Sequence, residues 1–443
     1  MLFILWILVL IVMIMAYKKK PTLAMLYFLA WSLLLVNIAI GPLSYPNSYF
    51  SFDAFFLFLA TIAPFFLGYA FILLTINAQI ISDISSQKEI LINKFGALFA
   101  LSWVIGGVLY AAPFLMTLDL YGLRLSYVYG EKDVTFFSQI GSILSGFAWF
   151  IFARIAINQG AYSSRFAKIT LMSFIVIPVF MAGRQIYFQL ILMLLFGMIL
   201  SSRYKIQKPS RIIDLKKFIA FFFIIAIFLI LTVTLLRFSG ESNTYQSKVE
   251  QFNMISNVVI SPSYLSLVDL LPVWIVNIIV EFDYYFSAQL INLLERITSS
   301  DISLINFNII EKSPFIKANI EKICGLYNYS CFNAGVPKFS GTISESAWGT
   351  VLSTNYTLFG IVGTAFINFL FGGVCSLSQR AFNHSSNNFI ASNFLIANSI
   401  VLFYSIMDSI FNEIYFIVYY ILSLSLFMAN LRFKIKLAKL TIS

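Results

Sequence analysis

The chain has 443 residues, of which 60% are hydrophobic and 11% charged, with a formal net charge of +10 and a mean hydropathy of +0.88. That composition excludes a water-soluble globule, and apolar runs of roughly 16–24 residues exclude a barrel built of alternating ten-residue strands. The basic excess does not point to nucleic acid, because most of it lies in short connections between apolar runs, where it sets membrane orientation. An all-α polytopic membrane protein remains.

Eleven apolar runs mark the expected spans in chain order: Leu2–Tyr17, Leu23–Ile40, Asp53–Ile76, Phe95–Leu118, Phe136–Ile157, Ile169–Met181, Ile186–Ser201, Phe218–Leu236, Tyr356–Leu377, Phe389–Met407 and Asn412–Asn430. The charges of the first run, Lys18-Lys19-Lys20, follow it instead of preceding it, and no small-residue cleavage site comes after, so it reads as a retained helix and not a signal peptide. Nineteen basic residues fall in the connections of one side and the C-terminal tail, against three (Arg124, Lys132, Arg184) in the short loops of the other. By the positive-inside bias the N-terminus lies outside and the tail inside.

Between the eighth and ninth runs the membrane pattern stops for about 120 residues, and this stretch holds ten of the nineteen acidic residues. The chain therefore divides into an N-terminal bundle of about eight helices (1–236), a large external loop (237–355) and a C-terminal unit of about three helices with a basic tail (356–443). Within the loop, Leu267–Leu294 is apolar but interrupted by Asp269, Pro272, Glu281 and Asp283. It is expected to be an amphipathic helix on or in the outer leaflet, not a twelfth span.

Candidate chemistry clusters at the outer side. Arg184, in Gly183-Arg184-Gln185, sits at a turn between two short apolar runs, and Arg237 closes the next outward-going one. A guanidinium at that depth can bind a lipid phosphate through a planar fork of donors, or simply reach any headgroup from a helix end. Glu281 and Asp283 stand in an apolar setting that raises a carboxyl pKa toward that of a general base, but about 200° apart on a helix they form no pair. Glu345 lies in the Gly-, Ser- and Trp-rich Gly341–Gly349 stretch, a setting that suits a sugar site as well as an ordinary loop. Asp408 and Glu413 bracket the last outer turn and read best as its caps.

Other motifs are absent or neutral. Charge inside the spans is nearly missing, which weighs against an ion-coupled transporter. No phosphate-binding loop, dinucleotide fingerprint or metalloprotease motif is visible, so no cofactor and no metal are expected. The three cysteines lack metal-site spacing, though Cys324 and Cys331 lie close enough to pair in an oxidising compartment. The single histidine, His384, falls in an expected inner loop, Arg380–Asn388. Gly360, Gly363, Gly372 and Gly373 suit close helix approach.

The number of spans, the late external loop, Gly183-Arg184, the helix-ending Arg237 with Gly240, and Phe359-Gly360-Ile361-Val362-Gly363 together resemble the oligosaccharide repeat-unit polymerases of bacterial envelopes, the Wzy-type O-antigen polymerases. The resemblance covers the whole chain in architecture through short, loose motifs. It implies a GT-C-like glycosyltransferase of the bacterial inner membrane with a periplasmic active face and no metal requirement. It would join glycan repeat units carried on undecaprenyl pyrophosphate. Arg184 and Arg237 would then hold pyrophosphate, Glu345 or Glu281 would serve as base, and Tyr284, Tyr285 and Trp348 would line the glycan path. The partners implied are the lipid-linked glycan, the bilayer and a chain-length co-polymerase, with no nucleic acid. The chain is similar also to O-antigen ligases, but those use a histidine in the external loop and this loop has none. A lipid-linked oligosaccharide flippase is disfavoured by the long loop, and an O-acetyltransferase by the histidine count.

Overall fold

The structure, a computed structural model, describes residues 22–45, 52–84, 86–117, 136–157, 165–180, 185–204, 258–262, 264, 270–298, 351–386, 388–406 and 414–435. Among these residues the chain forms eleven helices and four short strands: α1 (Leu23–Ile40), β1 (Leu43–Ser44), α2 (Phe52–Thr75), β2 (Ile76–Ile80), α3 (Ser86–Met116), α4 (Phe136–Leu144), α5 (Gly146–Ala156), α6 (Arg165–Phe180), α7 (Gln185–Tyr204), β3 (Val259–Ile260), α8 (Val273–Thr298), α9 (Val351–His384), α10 (Phe389–Tyr404), α11 (Ile414–Asn430) and β4 (Leu431–Ile435). The expected runs Leu2–Tyr17 and Phe218–Leu236 lie outside the described residues, as do Arg184, Arg237, Glu345, Trp348, Cys324, Cys331, Asp408 and Glu413.

The protein is mostly helical and apolar, as a membrane-embedded chain must be to satisfy its backbone in hydrocarbon. Three stretches among the described residues are long and apolar enough to cross a membrane: Phe55–Thr75, Lys88–Phe114 and Phe359–His384. Five more apolar helices, in α1, α4–α5, α7, α10 and α11, are shorter. The expected Phe136–Ile157 run is two helices, broken at Ser145, whose hydroxyl bonds back to the Ser142 carbonyl at 2.9 Å. The ninth run extends further than expected, because α9 stays helical through Arg380 to His384.

Helices α2 and α9 pack most intimately. The contact is reciprocal: a Cβ on Gly68 of α2 would overlap the Phe369 carbonyl oxygen, and one on Gly372 of α9 would overlap the Phe65 carbonyl oxygen. Without side chains at these crossings the two backbones touch, which is how helices associate when lipid offers no hydrophobic drive. Each helix also has a defect in its hydrogen-bond ladder. Pro64 removes an N–H from the middle of α2, leaving the Ala60 carbonyl without its intrahelical donor. The buried Asn368 of α9 donates its amide to the neighbouring carbonyl, Thr61 O, at 2.7 Å.

In α9 the break is at Gly360, whose φ of 69° lies in the left-handed region. Gly363 sits beneath the same kink, where a Cβ would run into the Phe359 side chain. Thr364 recovers the Gly360 carbonyl with its hydroxyl at 2.7 Å. Both glycines of the Phe359–Gly363 motif therefore serve a kink. Of the four glycines expected to bring helices together, Gly372 does so most tightly, and Gly373 more loosely, 3.2 Å from Ile72.

Helix α10 runs through the middle with nearly every side chain buried. Its polar residues are matched across to α11: Asn393 donates to Ser423 at 2.9 Å and accepts from Tyr419 at 3.0 Å, and Asn398 accepts from Tyr420 at 2.8 Å. Beside it, Trp149 of α5 stacks on Tyr415 of α11 at 6.0 Å and meets Phe174 of α6 edge-on at 5.9 Å.

The two ends of the bundle are set by strand pairing. At one end β1, just after α1, pairs antiparallel with β3, which belongs to the long loop. At the other, β2, which continues directly from α2, pairs with β4, which continues directly from α11. The Leu23 N–H, at the start of α1, bonds Gln379 Oε1 near the end of α9 at 3.3 Å. These contacts place the loop and the C-terminal strand at opposite ends of α1.

Replacing Gly372 by Ala should lower the thermal unfolding midpoint of the detergent-purified protein by several degrees, because the added methyl meets backbone that has nowhere to move. Gly373→Ala, whose added methyl would meet the Ile72 side chain at 3.2 Å and no backbone nearer than 3.9 Å, should be much milder. Equal effects of the two substitutions would refute the close α2–α9 crossing.

Candidate functional site

Helix α8 begins after Pro272, which lacks the N–H that a first helical turn leaves unpaired. Its buried positions include Val276, Val280, Asp283, Tyr284, Ser287, Ile291 and Leu294, which recur at three- and four-residue spacing along one broad face. The amphipathic helix expected from the sequence is present, but its stripe packs on α1, α2 and α9 of the bundle. Lipid is not what the described face meets.

The docking is pinned by Asp283, only 5% exposed. Asn37, in the last turn of α1, donates its amide to Asp283 Oδ1 at 2.6 Å, and the Leu43 backbone N–H donates to Oδ2 at 2.8 Å. Gly41 makes room, since a Cβ there would stand 2.5 Å from Asp283 Oδ1. One turn along α8, the Ser287 hydroxyl bonds the Asp283 carbonyl at 2.6 Å and the Tyr45 hydroxyl at 2.6 Å. From the opposite side, Ser261 N–H donates to Pro42 O at 2.8 Å beside the β1–β3 pair. The Pro42–Tyr45 connection is thus gripped by two separate segments of the long loop.

Desolvation pushes the Asp283 carboxyl up to about 6, against the opposing pull of the bonds from Leu43 and Asn37. Each of its oxygens is already committed to a donor, so this carboxylate positions α8 and is poorly placed to take a proton from a substrate. Burial likewise pushes the Tyr45 phenol well up, with Ser287 opposing and Asp283 reinforcing the shift.

The sequence-derived candidates divide clearly. Glu281, Tyr284 and Tyr285 all lie in α8, at the loop-bearing end. Tyr284 is 8% exposed and belongs to the packed stripe, so its ring anchors the helix and does not line an open glycan path. The side chains of Glu281 and Tyr285 are outside the described set, and Arg184, Arg237, Glu345 and Trp348 are outside it altogether. Sequence reasoning missed Asn37, Gly41, Tyr45 and Ser287. The available signal was an asparagine within the last turn of an apolar helix and a serine four residues after an aspartate on another.

His384, the single histidine of the chain, is at the far end, its Nε2 2.9 Å from Asn77 Oδ1 just past α2. Asp283 and Gln379 contact opposite ends of α1, an 18-residue helix of about 27 Å. No histidine therefore stands near the Asp283 site.

Fold and site together define an all-α membrane protein in which part of the long inter-helix segment is docked on the bundle. No protein-family model, curated protein or solved structure matches the chain.

A carboxyl whose folded pKa is raised contributes stability in its protonated form, complete below about 4 and lost as the pH rises through about 6. The loss is on the order of 3 kcal/mol. Amide exchange in α8, corrected for intrinsic rates, should accordingly be more protected at about pH 5 than at about pH 7.5. Asp283→Asn should flatten that difference. Protection that instead grows with pH would assign the docking to an ionised Asp283.

Proposed function

We propose that the chain is a metal-independent membrane glycosyltransferase that polymerises undecaprenyl-pyrophosphate-linked oligosaccharide repeat units into an O-antigen- or capsule-like polysaccharide. It works at the periplasmic face of a bacterial inner membrane, on a GT-C-like scaffold of about eleven spans with one large periplasmic loop. The observation that supports this reading best is the gripping of Pro42–Tyr45 by α8 and the β3 segment, which makes the long loop a built part of the bundle end. A carrier has no need of such a platform, and a polymerase needs one to hold two lipid-linked glycans against each other.

In the proposed reaction the anomeric carbon of the growing chain loses its bond to the pyrophosphate of its lipid carrier and gains one to a hydroxyl at the non-reducing end of the incoming unit. The hydroxyl proton passes to Glu345 or Glu281. The lipid pyrophosphate leaves with its charge held by Arg184 and Arg237, fixed guanidinium groups being suited to charge that develops as the bond breaks. So good a leaving group lessens the need for an acid. Asp283, bonded through both oxygens, is assigned to holding α8 and not to chemistry. The position of His384 at the opposite end of the bundle weighs against the ligase alternative.

Deleting the gene should reduce the surface polysaccharide to core carrying one repeat unit, with the ladder gone on a gel. Loss of every attached unit would point to flippase or ligase, and an unchanged ladder would end the glycan assignment. Arg237→Ala should give the same single-unit phenotype in protein that still inserts, and Arg237→Lys should restore only short chains, because lysine cannot make the paired contact. Wild-type chain lengths in the alanine variant would remove Arg237 from the site.

A further inference from the structure

At the end of the bundle away from α8, the amide oxygen of Asn77 is shared by two cationic or protonatable groups of α9. His384 Nε2 lies 2.9 Å from it, and Arg380 Nη1 reaches it only at 3.5 Å. The Arg380 Nε–H is buried and has no acceptor among the described residues. The ion pair found among those residues is Arg154 with Glu89, so Arg380 is left without a carboxylate. The strand pairing adds more positive charge: Lys434 of β4 stands opposite Asn77 and the exposed Arg432 opposite Gln79. Residues directly opposed in an antiparallel ladder, and those two apart along a strand, share a face. Asn77, Gln79 and Arg432 therefore occupy one face of the β2–β4 ribbon, and the Asn77 side chain on that face meets the end of α9.

The depth of this cluster is fixed by the helices that lead to it. β2 begins at the residue after α2 ends, and Arg380 and His384 lie in the last turns of α9. Phe55–Thr75 and Phe359–His384 are two of the three stretches long and apolar enough to cross the membrane. Cationic groups at the ends of two such stretches stand where phospholipid headgroups lie. An arginine fork without a carboxylate among the described residues, with a further arginine nearby, fits a phosphate diester.

We propose that Arg380, with His384 and Arg432 around the β2–β4 ribbon, binds the phosphate of an anionic phospholipid at this end of the bundle. The site is independent of the proposed glycan chemistry. It uses none of the residues assigned to that chemistry and stands at the other end of α1.

The test uses the full chain purified in a neutral detergent, with thermal unfolding followed as phosphatidylglycerol, phosphatidylcholine or inorganic phosphate is titrated in. Phosphatidylglycerol should raise the midpoint, phosphatidylcholine should have little effect, and the shift should shrink as salt is added. Arg380→Gln should weaken the apparent phosphatidylglycerol affinity about tenfold, the loss of one charge-assisted contact. Arg432→Gln, at an exposed strand position, should weaken it less but measurably, and so keeps the test intact if the Arg380 variant does not fold. Equal stabilisation by phosphatidylcholine, or an unchanged phosphatidylglycerol response in the variants, would overturn the site. Equal stabilisation by inorganic phosphate would overturn its assignment to lipid.

Discussion

The crossing of α2 and α9 is the constraint on which the rest of the structure depends. Two helices of membrane-spanning length meet backbone to backbone, with Gly68 under the Phe369 carbonyl and Gly372 under the Phe65 carbonyl. Pro64 removes a donor from α2 and Gly360 kinks α9, and a helix in hydrocarbon must find partners for the backbone groups such a defect frees. The repair comes from α9 itself: Asn368 reaches across to Thr61 O, and Thr364 closes the Gly360 carbonyl. Close packing and repair need each other. Asn368 can reach its carbonyl only because glycines let the helices approach, and the glycine contact holds its register because the amide bond fixes it.

Both ends of the molecule are tied to this pair. Past the end of α2, β2 offers Asn77 to the last turns of α9, so the β2–β4 ribbon and the α9 terminus form one assembly. On the other side α8 packs on α1, α2 and α9, and Asp283 locks it to the Asn37–Leu43 connection. The kink at Gly360 lies nine residues after the start of α9 at Val351, on the side that receives the long loop. The first turns of α9 can therefore lean independently of the rigid stretch that packs on α2.

Much of the scaffold was legible in the sequence wherever local chemistry marked a boundary. Leu23–Ile40 was read to the residue, because Thr22 caps its start, accepting from Met25 N–H at 3.3 Å, and Gly41-Pro42 ends it. Phe52–Thr75 came within one residue at each end. The break at Ser145 left no such mark, as a serine inside an apolar run is common. The Phe359–Gly363 motif was visible but its role was not, because a glycine that bends a helix and one that lets a neighbour approach look alike until the partner is known. The same holds for the two carboxylates of α8. Glu281 and Asp283 stand two apart in an apolar helix, and what separates them is Asn37, some 246 positions away.

That separation bears on how chemistry would be organised at the loop-bearing end. A carboxylate that accepts two hydrogen bonds at 2.6 and 2.8 Å in a buried site has its lone pairs directed at the protein, and burial that raises its pKa makes its ionised form costlier. Such a group is suited to hold an element in place, because both of its oxygens are directed at the protein and neither faces a substrate. A base must keep a lone pair free toward solvent or substrate, and so must come from another carboxylate. Placing the anchor and the proposed base two residues apart on α8 lets one helix do both. The inward residue fixes its height and rotation against α1, and any displacement of Asp283 is transmitted to Glu281 with no flexible segment between them. The consequence is a specific expectation for Gly41. A methyl at that position would stand 2.5 Å from Asp283 Oδ1, shifting α8 as a unit, so Gly41→Ala should impair polymer formation with membrane insertion preserved. Full-length ladders from that variant would separate the Asp283 anchor from whatever the loop does.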